Sequence, residues 1–296
     1  MLLKDHIKSV ELCYLEALEQ RMDLSLEDAG QLNKYQRGYE GERQFFDSIA
    51  GIDAVVIWDL LLKDGEYAQY DFIVIGDGTV YIFEIKNNSG PYRYDRGNIV
   101  NRHHVVIKDY RPQLERAHTM MEHFLRMHGV IMKVVSRIVF INDSFSLAGF
   151  NGDARMVFHG QLQQVVNHLK KIKPSTYDYE VGQMLVGAHV DKYPYQNVRQ
   201  VEVDVIDPRL RCQSCRQLIA EIDTMKKYIT CSCGRKVKRE DIMLANLREF
   251  VLLKQGAFTI QEAMDWTMSP KTTVKRLLRE HAVKTGIGRA TKYYLK

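Results

Sequence analysis

This chain lacks most of the features that would place it in a membrane, a secreted scaffold or a repeat array. Among its 296 residues no apolar run reaches the roughly 18 needed to cross a bilayer. Its first twenty residues, MLLKDHIKSVELCYLEALEQ, carry scattered charges and no apolar central segment, so they do not read as a secretion signal. Only five cysteines are present and four of them lie within 22 positions, which argues against a disulfide framework. There is no internal repeat and no low-complexity tract. The remaining composition, 45% hydrophobic and 27% charged, is that of a globular chain long enough for more than one domain. The expectation is a cytoplasmic protein with no membrane partner; oligomeric state is left open.

Charge is unevenly placed. Arg235 to Lys296 contain fourteen Lys/Arg against six Asp/Glu, a net of +8 in a chain whose total is +5, leaving −3 for the other 234 residues. A basic end on a slightly acidic body suits a polyanion partner, and equally suits solubility alone.

The densest signal lies between Tyr67 and Asn87. Two strands, Tyr70–Ile75 and Thr79–Ile85, flank Gly76-Asp77-Gly78, a hairpin turn. Alternation puts Val80, Ile82, Glu84 and Lys86 on one face of the second strand and Tyr81, Phe83 and Ile85 on the other. On the first strand it groups Asp71 with Ile73 and Ile75. Two carboxylates and a lysine thus sit among apolar residues, where an unpaired charge costs several kcal/mol. Glu84-Ile85-Lys86 alone is compatible with a solvated face bearing an ion pair. The VYIF before it, and Asp71 on the neighbouring strand, favour a metal site.

Around this hairpin, periodicity predicts helices over 3–20, 34–50, 111–128, 159–172 and 178–188, with 23–33 as a connector. Leu114, Ala117, Met121 and Leu125 form the buried stripe of the third of these. Strands are expected at 54–62 and 134–142, a second hairpin at 91–108 and a short strand at 197–206. The helix over 34–50 carries Gly38 and Gly41 one turn apart, each costing about 1 kcal/mol in a helix interior, which implies close backbone approach. Glu42 follows directly; by itself it is better explained as an exposed charge. Cys13 reads as a small buried hydrophobe. The order of elements is an α/β layout around a mixed sheet.

Gly38-Tyr39-Glu40-Gly41-Glu42, Tyr70-Asp71-Phe72-Ile73-Val74 and Phe83-Glu84-Ile85-Lys86-Asn87, in this order on helix, strand and strand, resemble the nuclease-related domain (NERD) family. That family is a branch of the PD-(D/E)xK phosphodiesterases, and the resemblance covers roughly residues 34–145. It implies a restriction-endonuclease-like core. It also implies that Asp71, Glu84 and Lys86 are the catalytic triad, Glu42 the acidic residue of the first core helix, and Gln113 the glutamine of the following helix. Tyr70 and Phe72 depart from the polar residue and histidine that often flank the motif aspartate. The chemistry implied is Mg²⁺- or Mn²⁺-dependent hydrolysis of phosphodiester bonds in DNA. Asp71, Glu84 and the Ile85 carbonyl would be metal ligands, and Lys86 would orient the attacking hydroxide.

Two further constellations follow. Cys212-Gln213-Ser214-Cys215 and Cys231-Ser232-Cys233 have the spacing of a structural Zn²⁺ site in a small ribbon. Beyond it, helices over 239–253, 260–266 and 270–281 and a hairpin over 282–295 resemble a winged helix-turn-helix, with Ser269 capping the third helix. Val274, Leu277, Leu278 and His281 would face its core. Lys271, Thr272, Lys275, Arg276 and Arg279 would face double-stranded DNA, with Lys284 and Arg289 in the wing. The expected segments are therefore 1–33 (helical), 34–206 (nuclease-like), 207–237 (zinc ribbon) and 238–296 (winged helix). The leading reading is a metal-dependent DNA nuclease. The alternatives are a DNA-binding regulator built on a silent scaffold and a partner-binding adaptor.

Overall fold

The computed structural model describes residues 1–107, 109–190, 201–220 and 226–296, and gives the side chain of every described element residue except Arg289. Of the expected features, 197–200, the end of the 91–108 hairpin and the Arg289 side chain lie outside what is described. The chain divides into two compact units, Met1–Lys8 with Lys34–Tyr195, and Ser9–Asn33 with Gln196–Lys296.

The first unit is built on a mixed six-stranded sheet. In chain order its strands and helices begin with β1 (Leu2–Lys4). Helices α1 (Val10–Leu18), which belongs to the second unit, and α2 (Leu26–Ser48) come next. Then follow β2 (Val55–Asp64), β3 (Glu66–Gly76), β4 (Thr79–Lys86), β5 (Pro91–Asp95), β6 (Asn98–Asn101) and β7 (Val106–Ile107). Next are α3 (Arg111–Met127), β8 (Lys133–Phe140), β9 (Ser146–Ala148), β10 (Met156–Phe158), α4 (His159–Leu169) and α5 (Thr176–Gly187). The main sheet runs β1-β2-β3-β4-β8-β10, with β2, β3 and β4 antiparallel and β4, β8 and β10 parallel. Helices cover both faces, as a sheet buried on two sides requires. Phe45 of α2 and Ile49 just beyond it pack with Leu162, Val166 and Leu169 of α4 over one face. Ala117, Met121 and Leu125 of α3 pack with Val181 and Leu185 of α5 over the other. Strands β5, β6 and β7, with β9, form a second small sheet. The expected turn at Gly76-Asp77-Gly78 closes with Asp77 at φ +49° and Gly78 at φ +67°, the left-handed pair such a hairpin needs.

Four local expectations are corrected. The helix over 3–20 exists only as Val10–Leu18; Leu2–Lys4 is instead an edge strand parallel to β2, and Ile7 is 83% exposed. Backbone pairing to a sheet edge outweighs the helical preference of that stretch. The connector 23–33 is helical from Leu26. Ser25 Oγ accepts from the Asp28 amide at 3.0 Å, a capping signal that apolar periodicity does not register. In place of a strand within 201–206, Val203–Val205 form one 3₁₀ turn. Cys13 is half-buried rather than buried.

Gly41 meets the close approach expected of it; Gly38 does not. A Cβ on Gly41 would lie 2.7 Å from Asn87 Cβ and 3.2 Å from Ile141 Cγ2, whereas nothing lies within 4 Å of one on Gly38. Asn87 cannot step aside, because its amide donates to the Arg37 carbonyl at 2.8 Å and its Oδ1 accepts from Asn142 at 3.0 Å. Gly41→Ala is therefore expected to destabilise the first unit by about 1–3 kcal/mol. Urea unfolding would reveal it, and a variant as stable as the parent would refute the packing argument.

The second unit joins α1 to the C-terminal residues: β11 (Tyr228–Thr230), β12 (Lys236–Lys238), α6 (Arg239–Lys254), α7 (Ile260–Thr267), α8 (Lys271–His281), β13 (Ala282–Thr285) and β14 (Lys292–Leu295). One apolar core holds Leu18 of α1, Cys212 and Cys231, Leu247 and Phe250 of α6, Trp266 of α7 and Leu277 of α8. Arg211 is fully buried, and its guanidinium donates to the carbonyls of Glu16, Ala17 and Glu19, the groups that the end of α1 leaves unpaired. Glu249 answers three arginines, Arg21 at 3.0 Å, Arg216 at 3.3 Å and Arg211 at 3.8 Å. Glu249→Leu leaves these charges uncompensated, and a loss of about 3–5 kcal/mol is expected from thermal unfolding. A loss below about 1 kcal/mol would show that the arginines are satisfied by carbonyls alone.

Candidate active site

The site opens where two paired strands part. The β3–β4 ladder ends at Phe72 opposite Phe83. One step further, Asp71 does not continue the ladder; its Oδ2 accepts from the Ile85 amide at 2.7 Å. Alternation also breaks here. Tyr70, and not Asp71, shares the core with Ile73 and Ile75, while Phe72 and Val74 pack on the opposite face. On the other side Asp59 of β2 stands at φ +60°, between the pairs Trp58–Phe72 and Leu60–Tyr70. The expectation that Asp71 shares a face with Ile73 and Ile75 is thus corrected: a local irregularity in β2 and β3 turns its carboxylate toward β4.

Glu84, Lys86 and Gln113 meet directly. Lys86 Nζ lies 2.6 Å from Glu84 Oε1, and Gln113 Nε2, from the first turn of α3, donates to the same oxygen at 2.9 Å. Glu84 is buried, at 6% exposure. The Lys86 ammonium also sits 4.7 Å above the Tyr110 ring. Tyr70, which departs from the family pattern, reaches across to α3 and donates to the Ala117 carbonyl at 3.0 Å.

Glu42 approaches from α2. Its Oε2 accepts from Trp58 Nε1 at 2.8 Å. Trp58 is held between the rings of Phe46 (4.8 Å) and Phe72 (5.1 Å), the second departure from the family pattern. Sequence reasoning missed what covers Trp58. His6 stacks on it with centroids 5.3 Å apart, and His6 Nδ1 lies 3.2 Å from Asp59 Oδ2. Trp58 could have been found from its position in an apolar strand, since a buried indole N–H calls for an acceptor. His6 had no such signal, because its placement depends on β1 joining the sheet beside β2, Leu2 opposite Val56.

Negative charge dominates the centre. Burial pushes the Asp71 carboxyl well above its ordinary value, and the neighbouring Glu84 and Glu42 push it further. Burial likewise raises Glu42, against the Trp58 hydrogen bond. Burial alone would lower the Lys86 ammonium, but Glu84 and Asp71 carry it above its usual value. Three carboxylates against one lysine, all poorly solvated, suit a hard divalent cation with oxygen ligands.

Residues 37–141 match the nuclease-related domain family. The matched segment contains Glu42, Asp71, Glu84, Lys86 and Gln113, and leaves His6 outside. No curated protein and no solved structure matches the chain.

Beyond the nuclease-related domain, the four clustered cysteines form a candidate metal centre. Cys212, Cys215, Cys231 and Cys233 place their sulfurs within 4.8 Å of one another. They are the one group of three or more potential ligands so closely gathered among the described residues. The separations Cys212–Cys233, 3.9 Å, and Cys215–Cys231, 3.5 Å, approach the edge of about 3.8 Å that a tetrahedron with 2.3 Å Zn–S bonds requires. Backbone turns shape both knuckles: Arg216 N donates to Cys212 O, and Gly234 N to Cys231 O, each at 2.9 Å. Four thiolates suit a structural ion such as zinc and leave no position for substrate.

After this centre come three helices and a two-stranded hairpin. Val274, Leu277 and Leu278 of α8 are buried, His281 is half-exposed, and Lys271, Thr272, Lys275, Arg276 and Arg279 are exposed. The expected cap is corrected: Pro270 precedes the helix with no side-chain cap, and Ser269 Oγ donates instead to the Thr267 carbonyl at 2.8 Å. Arg276 is not free on the surface, because Glu240 holds it at 2.7 Å. A cleft of about 680 Å³ between α8 and the hairpin is lined by Lys275, Arg279, Lys284 and Tyr293.

Proposed function

We propose that this protein is a nuclease that hydrolyses phosphodiester bonds in double-stranded DNA, with the nuclease-related domain as its catalytic part. The observation that carries the reading is the parting of β3 and β4 at Asp71, which turns its carboxylate to the Ile85 amide, within electrostatic reach of Glu84 and Lys86. Asp71 and Glu84, with the Ile85 carbonyl, would hold Mg²⁺ or Mn²⁺. Bound there, the ion supplies charge that polarises the phosphate and acidifies a water molecule. The chain's own groups do the rest. Lys86 faces the developing phosphorane charge and orients the nucleophile. Gln113 fixes the Glu84 oxygen from the α3 side, and Trp58 fixes Glu42 from β2. No helix among the described residues is long and apolar enough to cross a membrane.

The C-terminal residues would deliver this activity. In this reading 207–237 is a zinc ribbon and 238–296 a winged helix-turn-helix. Lys271, Thr272, Lys275, Arg276 and Arg279 of α8, with Lys284 and Arg289 of the wing, would engage the duplex. The direct test incubates supercoiled and linear DNA with the protein in Mg²⁺, in Mn²⁺ and in chelator. Cleavage that requires the divalent ion supports the enzyme. Salt-sensitive DNA binding without cleavage would leave the regulator built on a silent scaffold.

A further inference from the structure

The second unit contains another cleft, of about 550 Å³. Lys226, Lys227, Lys238, Arg239, Thr273 and Arg276 line it, with Glu240 as its one acidic member. Three elements meet there. Lys226 and Lys227 lead into β11, Lys238 ends β12 and Arg239 opens α6. Thr273 and Arg276 come from the first half of α8. Five cations thus face one carboxylate, and that carboxylate is already shared between Lys238 and Arg276, each at 2.7 Å.

The arrangement is built rather than incidental. Arg239 is only 7% exposed, its guanidinium donates to Ser269 Oγ at 3.0 Å, and its backbone amide donates to the Lys227 carbonyl at 2.9 Å. The fold thereby holds one positive charge at the floor and ties the ribbon hairpin to the start of α6. The first turn of that 16-residue helix adds the positive end of its dipole. A groove lined by one sign of charge concentrates its field and draws in the opposite charge. Glu240 offsets part of this charge, with Asp241 and Glu280 acting on Lys238 from nearby, and the positive excess that remains favours an anion. Tetrahedral, multiply charged oxyanions suit a mixture of arginine, lysine and a threonine hydroxyl.

We propose that this cleft binds phosphate groups of the DNA backbone, making the cysteine-bound ribbon a clamp on the duplex as well as a structural element. The inference rests on the reading that α8 enters the DNA major groove. That groove is about 12 Å wide and is filled by one helix. Elements flanking the helix therefore meet the strand backbones, and the ribbon flanks α8 on the Arg276 side. Such contacts set register and affinity without reading sequence.

The test measures binding of the full chain, loaded with zinc, to duplex DNA over a potassium chloride series. Each lost phosphate contact lowers the slope of log K against log salt by about 0.9. Lys227→Gln with Lys238→Gln is expected to lower the slope by about 1 to 2, equally on unrelated sequences. Lys227→Gln alone, which leaves the Lys238–Glu240 pair in place, should lower it by about 1, so a folding defect in the double variant would not obscure the result. Lys271→Gln with Lys275→Gln serves as the comparison on α8. A slope unchanged in both cleft variants but reduced in the α8 variant overturns the clamp and leaves the α8 reading standing. No salt-dependent binding by the parent protein, or no effect of the α8 variant, removes the reading on which the clamp rests, and the clamp falls with it.

Discussion

Lys86→Ala is expected to slow metal-supported DNA cleavage by about a hundred- to a thousandfold, the range found when one charge-stabilising donor is removed from a transition state. The side chain is placed to have that effect. Its ammonium is pinned by Glu84 at 2.6 Å, held fully charged by Glu84 and Asp71, and backed by the Tyr110 ring. Asp71→Asn and Glu84→Gln should lose at least as much, because each removes a hard oxygen ligand and a negative charge at the position where the ion is needed. Groups that act through these ones should matter less. Gln113→Ala and Trp58→Phe are expected to cost about ten- to a hundredfold, the usual effect of removing an outer hydrogen-bond partner. Single-turnover cleavage with saturating ion separates the two tiers; parent-like rates in Lys86→Ala would remove the nuclease reading altogether. Acidity adds a check. The Asp71 carboxyl lies well above its ordinary value through burial and the neighbouring carboxylates, and it must be deprotonated to bind an ion. Ion-supported cleavage should therefore fall on acidification at a higher pH than an ordinary aspartate would impose, and excess Mg²⁺ should shift that fall downward. An unshifted profile would mean that Asp71 takes no part in ion binding.

Removing the ion from the cysteine centre should unfold the second unit. Structural zinc contributes about 10–16 kcal/mol in small ribbons, more than a unit of this size usually has to spare. Here the effect should spread, because Cys212 and Cys231 belong to the same core as Ile242, Met243 and Leu247 of α6. Chelation, or Cys212→Ser with Cys215→Ser, is expected to abolish hydrogen-exchange protection through α6, α7 and α8. The β2–β4 strands of the nuclease-related domain, which have their own core, should stay protected. Metal analysis of the parent should return one zinc per chain. Full protection of α6 in the metal-free protein would show that the cysteines merely pack.

These two experiments address regions that differ in how much the sequence revealed. The central hairpin was legible because its signals are local: Asp77-Gly78 requires a left-handed turn, and period-two alternation separated Glu84 and Lys86 from Phe83 and Ile85. The cysteine quartet was legible for a similar reason, since each pair lies within one turn of chain. The helix-and-hairpin order after Arg239 was read correctly from periodicity, though not the capping at Ser269. Asp71 shows the limit of such reasoning. Its candidacy as a site residue came from sequence, but strict alternation gave it the wrong face, because the irregularity that turns it belongs equally to Asp59 of the neighbouring strand.

Sequence by itself determined which residues are candidates for this protein's chemistry: two carboxylates and a lysine on neighbouring strands, four thiols at knuckle spacing, and a basic face on one amphipathic helix. Tertiary structure alone decided their company. It brought His6 and Trp58 to Glu42, drew α1 away from the preceding strand to the C-terminal unit through buried Arg211, and turned Arg276 toward Glu240. The physical reason is the same in each case. Periodicity and turn chemistry act over a few residues. A buried arginine or indole takes whatever partner can repay its desolvation, and that partner can lie anywhere in the chain.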